Sequence, residues 1–280
     1  MPLITDDRQH LRRAMAREQL VLFCQPVVSC ETGEIEGAEA LIRWQHPHRG
    51  LLAPQSFLPA VQSRRLGTEL NLHILELALT ERDRWTGDAA LLPLSVNVTP
   101  ACLADEAFVG GVERLFAHRS PEGEIRLEVT EQATVSRGLS IDASVERLRR
   151  HGFEFLLDDF GAEYSSLSRL AQLPFSTLKI DGSLVDGLDV HHAYRSIVHA
   201  SISLAHTLGL KAVAERVESV STWKLLNALG CDQIQGYLIA RPMPAAQFPA
   251  FVRHYRPDAP DALGRRERRS GEDRRLVARA

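Results

Sequence analysis

The sequence predicts an α/β fold of the TIM type, a (β/α)8 barrel with an antiparallel first strand. Three observations predict it. Short apolar or β-branched runs alternate with longer amphipathic stretches through most of the 280 residues, as in strand–helix units around a parallel sheet. No glycine-rich dinucleotide or P-loop fingerprint follows any of the runs, which removes the commonest reason for an open doubly wound sheet. The first two runs are joined only by "SCETGE". That is too short for a crossover helix, so the two should pair as an antiparallel hairpin.

The expected strands are 20–28, 35–44, 93–98, 124–130, 153–159, 177–181, 210–215 and 231–236. Between them, helices are expected over about 55–63, 68–84, 105–118, 139–151, 164–172, 191–208 and 219–229. In "YRSIVHASISLAHTLG" the apolar positions Ile197, Ile202, Leu204, Ala205 and Leu208 recur at helical spacing. Gly152, Gly209 and Gly230 follow predicted helices where a left-handed C-cap is wanted.

Hydrophobic content of 44% and charged content of 25% are those of an ordinary globular protein. A net charge of -3 argues against general nucleic-acid or DNA binding. No apolar run is long enough to span a bilayer, and the N-terminus is not built like a signal peptide, so a cytoplasmic protein is expected. Cys24, Cys30, Cys102 and Cys231 lack the spacing of a zinc site and read as reduced core residues. Residues 1–256 read as the barrel. Residues 257–280, with seven arginines and few apolar residues, read as a solvated, disordered tail.

Active sites of such barrels lie where the C-terminal strand ends converge. The polar residues there are Glu39, Arg43, Asn97, Glu128, Glu131, Asp158, Asp159, Lys179, Asp181, Glu215, Glu218 and Gln235. Because strand side chains alternate, Asp158 and Asp159 are not expected to be simple neighbours on one surface. One lysine and one arginine cannot balance five or more carboxylates brought together. Divalent cations are the economical solution, and an all-oxygen donor set suits Mg²⁺ or Mn²⁺ better than zinc. Two ions at Asp158 and Asp159 would suit in-line attack on a phosphodiester by an activated water.

The segments "FCQP" (23–26), "EALIRW" (39–44), "VNVTP" (96–100), "LEVTE" (127–131) and "DDFG" (158–161) occur in this order. "LKID" (178–181), "AERVE" (214–218) and "CDQIQGYLIARPMP" (231–244) follow. Together they resemble the EAL domain family of cyclic di-GMP phosphodiesterases over roughly residues 10–250. The resemblance implies hydrolysis of cyclic di-GMP to linear pGpG with two ions, Mg²⁺ or Mn²⁺. It implies Glu39, Asn97, Glu128, Asp158, Asp159 and Glu215 as metal ligands. Lys179 would hold or activate the attacking water, with its pKa lowered to help accept a proton, and Gln235 would lie near that water. Gln25 and Arg43 would contact the dinucleotide. Glu131 would tether the loop after strand 5, Glu218 would support the strand 7 end, and Asp181 would be structural or supporting. A homodimer and a signalling protein partner are also implied. The alternative function is a catalytically weak or inactive cyclic di-GMP receptor.

Two departures stand out. Glu163 replaces a glycine in the loop after "DDFG" and adds negative charge near an anionic substrate. Either it acts as a brake, and reversion to glycine raises activity, or the loop tolerates it. Arg216 replaces the usual glycine of "AERVE", and strand alternation predicts that it points away from the mouth.

Overall fold

A computed structural model describes residues 7–60, 64–119, 121, 123–130, 141–162, 170 and 172–257. Glu131, Glu163, most of the expected helix 164–172 and nearly all of the arginine-rich tail lie outside them.

The chain begins with helix α1 (Asp7–Ala16), which buries Leu11 and Ala14. Two long strands follow, β1 (Leu20–Ser29) and β2 (Ile35–His46). They form the expected hairpin, in register from Leu20↔Trp44 through Gln25↔Glu39 to Val28↔Ile35. A short strand, β3 (Gly50–Leu52), folds back antiparallel on the end of β2. Next come α2 (Arg64–Asp83), β4 (Leu94–Asn97), α3 (Pro100–Leu103) and α4 (Glu106–Leu115). The middle of the chain supplies β5 (Ile125–Thr130), α5 (Asp142–Arg150), β6 (Glu154–Phe160) and β7 (Phe175–Ile180). It closes with α6 (Gly182–Val185), α7 (His192–Thr207), β8 (Lys211–Ala214), α8 (Val220–Ala228), β9 (Gln233–Ile234), β10 (Met243–Pro244) and α9 (Phe248–His254).

Strands β2, β4, β5, β6, β7, β8 and β9 pair parallel in that order. β1 closes the ring, antiparallel to both β2 and β9. The result is a closed mixed barrel of eight strands among the described residues, with β3 and β10 attached at its margin. The antiparallel hairpin predicted from the short linker is present.

Helices seal the outside through one apolar stripe each. In α2, Leu66, Leu70, Ile74, Leu75, Ala78 and Leu79 are buried at the spacing of one helical face. Val198, Ile202 and Ala205 do the same in α7. Side chains capping backbone amides fix where helices begin: Asp105 caps α4 and Ser219 caps α8. Gly152, Gly209 and Gly230 all have positive φ, as their place after helices predicts.

The differences from the sequence expectation are local. Residues 54–56 and 58–60 form two 3₁₀ turns in place of the start of a helix. Pro59 withholds an amide donor that a continuous helix over 55–63 needs. Helices α1, α3, α6 and α9 were not expected, since short or polar segments carry little periodicity. All four cysteines are free and buried.

Trp223 of α8 is 1% exposed and donates its indole N–H to the Cys30 carbonyl at 2.7 Å, tying the outer shell to the end of β1. Trp223→Phe leaves that buried carbonyl without this donor. We expect a loss of about 1–3 kcal/mol, read from urea unfolding at unchanged m value.

Candidate functional site

Lys179 defines the floor of the site. It lies on β7 with a side chain only 2% exposed, surrounded by carboxylates on or just past four other strands. Its Nζ is 2.6 Å from Glu128, 2.7 Å from Glu215, 3.0 Å from Asp158 and 3.4 Å from Glu39. Burial opposes a charge here. Asp158, Glu128, Glu215 and Glu39 together outweigh it and hold the ammonium well above the usual lysine value. The lowered pKa expected from the sequence is therefore reversed in this environment. Lys179 is a proton-bearing donor.

Glu39 links this floor to the opposite wall. Its Oε1 accepts from Asn97 at 2.7 Å, and its Oε2 accepts from Gln235 at 2.8 Å. The same Gln235 amide donates to Gln25 Oε1 at 3.1 Å, and Gln25 donates in turn to the Ala240 carbonyl. The hairpin register sets Gln25 directly beside Glu39. Gly236 makes the next step possible, because a Cβ there would overlap the Val217 backbone. That close approach brings the ends of β8 and β9 together.

Asp158 and Asp159 correct the alternation argument. Both line the same cleft, and with Glu215 they place carboxylate oxygens within 4.8 Å of one another. Asp159 adopts a left-handed backbone (φ +57°), and the β6–β7 register shifts between Leu157 and Phe160. The bulge re-aims the second carboxylate toward the mouth. Such a backbone costs about 1–3 kcal/mol for a residue other than glycine.

The crowding shows in the protonation of the acids. Burial, with Glu39 and Asp158, holds Glu128 well above the usual carboxylate range against the pull of Lys179. Burial, with Asp158 and Glu39, pushes Glu215 up to about 8. Asp159 is raised to about 6 by burial and by Asp158 and Asp181. Protons therefore relieve part of the charge that Lys179 cannot.

The residues fit divalent cations. The donors are oxygens, and Asp158 Oδ1 and Gln235 Oε1 are buried acceptors without hydrogen-bond partners among the described residues. Asp158 Oδ1 meets Lys179 as an ion pair, without hydrogen-bond geometry.

Above the cluster opens a cleft of about 370 Å³. Arg43 borders it, with its guanidinium 5.5 Å from the Phe23 ring centroid. Glu218 is exposed on the rim. Asp181 lies apart from the cleft lining and caps α6 by accepting from the Ser183 amide at 3.0 Å. It still acts on the site by raising Asp159.

The structure also places residues that the sequence reading did not assign. Leu41, Pro54 and Pro242 supply apolar lining, and Tyr237 stands half-exposed with Arg241 stacked 4.2 Å from its ring centroid. The "GY" following Gln235 was the available signal for Tyr237. Arg216 also lines the cleft, with φ +55°. The left-handed backbone turns the side chain out of strand alternation, which overturns the expectation that it points away.

The EAL domain family profile matches residues 8–242. The bifunctional diguanylate cyclase/cyclic di-GMP phosphodiesterase MucR of Pseudomonas aeruginosa is 38% identical over 244 residues, 86% of this chain and 36% of that protein. The cyclic di-GMP phosphodiesterase RocR of the same organism is 34% identical over 237 residues, 84% of this chain and 60% of that protein. The chain thus spans roughly a third to three-fifths of these relatives. Among solved structures, the MucR phosphodiesterase in complex with c-di-GMP superposes with a TM-score of 0.79 at 37% identity. The match covers 86% of this chain and 99% of that one. The EAL domain of Mycobacterium smegmatis DcpA gives 0.71 at 31% identity, over 86% and 99% of the two chains. Closed barrel, carboxylate ring and family match agree: the chain belongs to the EAL domain family.

Proposed function

We propose that this chain is a metal-dependent phosphodiesterase that hydrolyses cyclic di-GMP to linear pGpG. The observation that carries the reading is the ring of carboxylates around Lys179 at the base of a cleft bordered by Arg43. Relatives named as cyclic di-GMP phosphodiesterases support the choice of substrate.

Glu39, Asn97, Glu128, Asp158, Asp159 and Glu215 would hold two ions, Mg²⁺ or Mn²⁺. Bound there, such ions would offset the carboxylate charge, stabilise charge developing on the phosphoryl oxygens and make water a competent nucleophile. The protein's own contribution is positional. Arg43 takes a phosphate as a charge-assisted, bidentate partner. Gln25 and Gln235 form a fixed amide pair beside Glu39, and the unpaired Gln235 Oε1 is an acceptor for a water proton. Lys179 Nζ donates. Its charge holds Glu39, Glu128, Asp158 and Glu215 in place and favours oxyanion character in the attacking water. Leu41, Pro54 and Pro242 offer the apolar surface that a guanine base needs.

Purified protein incubated with cyclic di-GMP and Mg²⁺ or Mn²⁺ should release pGpG, followed by chromatography. Binding without turnover under either metal would favour a receptor. Glu39→Ala should abolish turnover, because it removes the partner of Asn97, Lys179 and Gln235 at once. Undiminished activity would overturn the site assignment. Lys179→Met should lower turnover at least about 100-fold. It should also lower metal-free stability by about 3 kcal/mol, since the carboxylates lose their shared cation.

Metal affinity should rise with pH. A carboxyl holding a proton must release it to ligate. With Asp159 near 6 and Glu215 near 8, binding should weaken progressively as pH falls from about 8 to 6. Calorimetry in buffers of different ionisation enthalpy should register proton release on Mg²⁺ or Mn²⁺ addition. Affinity independent of pH across that window would contradict this account.

A further inference from the structure

Arg216 is the cleft residue that fits the carboxylate cluster least. It follows Glu215 directly, lies on the rim and takes a left-handed backbone. Its stem passes over Gly182, where a Cβ would overlap Arg216 Cγ, Cδ and Nε. Its guanidinium pairs with Asp186. A strained arginine and a bare glycine beneath it thus combine to hold one cation at the mouth.

Stability does not explain the arrangement. Arg216 and Asp186 are 56% and 44% exposed, and ion pairs this exposed contribute little. Strain kept without a stability return points to function. The charge balance indicates which function. Among the described residues, Glu39, Asp158, Asp159, Glu215 and Glu218 line the cleft with only Arg43 and Arg216 as lining cations. Arg43 lies on β2 and Arg216 just past β8, and these strands are separated in the ring by β1 and β9. The two arginines therefore stand on either side of the strands that lead to the Gln25–Gln235 pair, and can meet different anionic groups of one ligand. A phosphodiester offers the same pair of acceptor oxygens as a carboxylate, so one can replace the other on a guanidinium.

We propose that Arg216 is a second phosphate-contacting arm of the cleft, held by Asp186 in the free protein and transferred to a phosphodiester of the bound dinucleotide. The assignment rests on the proposed function, because it takes cyclic di-GMP as the ligand. Asp186 is then a competitor for the arm, and binding strength is set by the exchange between the two partners.

Dissociation constants for cyclic di-GMP, titrated with Ca²⁺ in place of Mg²⁺, test this on the full chain. Arg216→Gly should weaken binding about tenfold, the scale of one charge-assisted contact, with Arg216→Lys between it and wild type. Asp186→Asn should tighten binding about threefold, and should have no effect when Arg216 is already glycine. Arg216→Gly should also melt at an equal or higher temperature, because glycine relieves the backbone. Binding by Arg216→Gly within twofold of wild type would overturn the proposal and leave the proposed function standing. Weaker binding with a lowered melting temperature would trace the loss to folding and overturn it too. No binding by the wild type would remove the proposed function and, with it, this assignment.

Discussion

One ammonium holds the mouth of this barrel together. Lys179 is almost wholly buried and lies within 3.4 Å of four carboxylates, each on or just past a different strand. At an effective dielectric of about 20, two unit charges about 4 Å apart interact by about 4 kcal/mol. Without a central cation the carboxylates would repel one another by comparable amounts. With one cation, the charge is still unbalanced, and the raised values of Glu128, Asp159 and Glu215 register the remainder. Protons on these acids offset part of the charge that a single ammonium cannot.

The barrel makes that concentration of charge tolerable by surrounding it with rigid, dry structure. Leu127, Leu157, Leu178 and Ala212, at or near zero exposure, belong to the same strands that carry the polar residues and face the helical shell. Where the regular strand would have failed, the backbone departs from it. The bulge at Asp158–Asp159 sacrifices ladder pairing to bring two successive carboxylates to one side. Gly236 lets β9 approach Val217 closely enough to set Gln235 beside Glu39. Local cost is traded for convergence at both places.

Much of this was legible from residues alone, for an identifiable reason. Strand ends are marked by polar residues that close apolar runs, so Glu128, Lys179 and Glu215 could be located by pattern, and the hairpin linker dictated β1. What pattern could not show is backbone sign. Asp159 and Arg216 read as ordinary members of alternating strands, and only a positive φ turns each toward the cleft. Environment was hidden as well. The charge state of Lys179 depends on carboxylates separated from it by as many as 140 positions in the chain, and no local motif encodes their sum. Helix α1 escaped notice because its arginines and polar residues swamp the apolar pair Leu11 and Ala14 that docks it.

The antiparallel first strand alters where the chain enters the barrel. In a uniformly parallel barrel the leading strand would enter at the end remote from the mouth. Here β1 enters beside the far end of β2, with Val21 opposite Arg43 and Leu20 opposite Trp44. Helix α1 therefore feeds into the mouth side, and Arg12 anchors it to Glu69 of α2 through two hydrogen bonds. The helix is thus fixed on the same side of the barrel as the cleft that Arg43 borders. The inverted strand brings the start of the fold to the mouth, one hairpin register from Arg43.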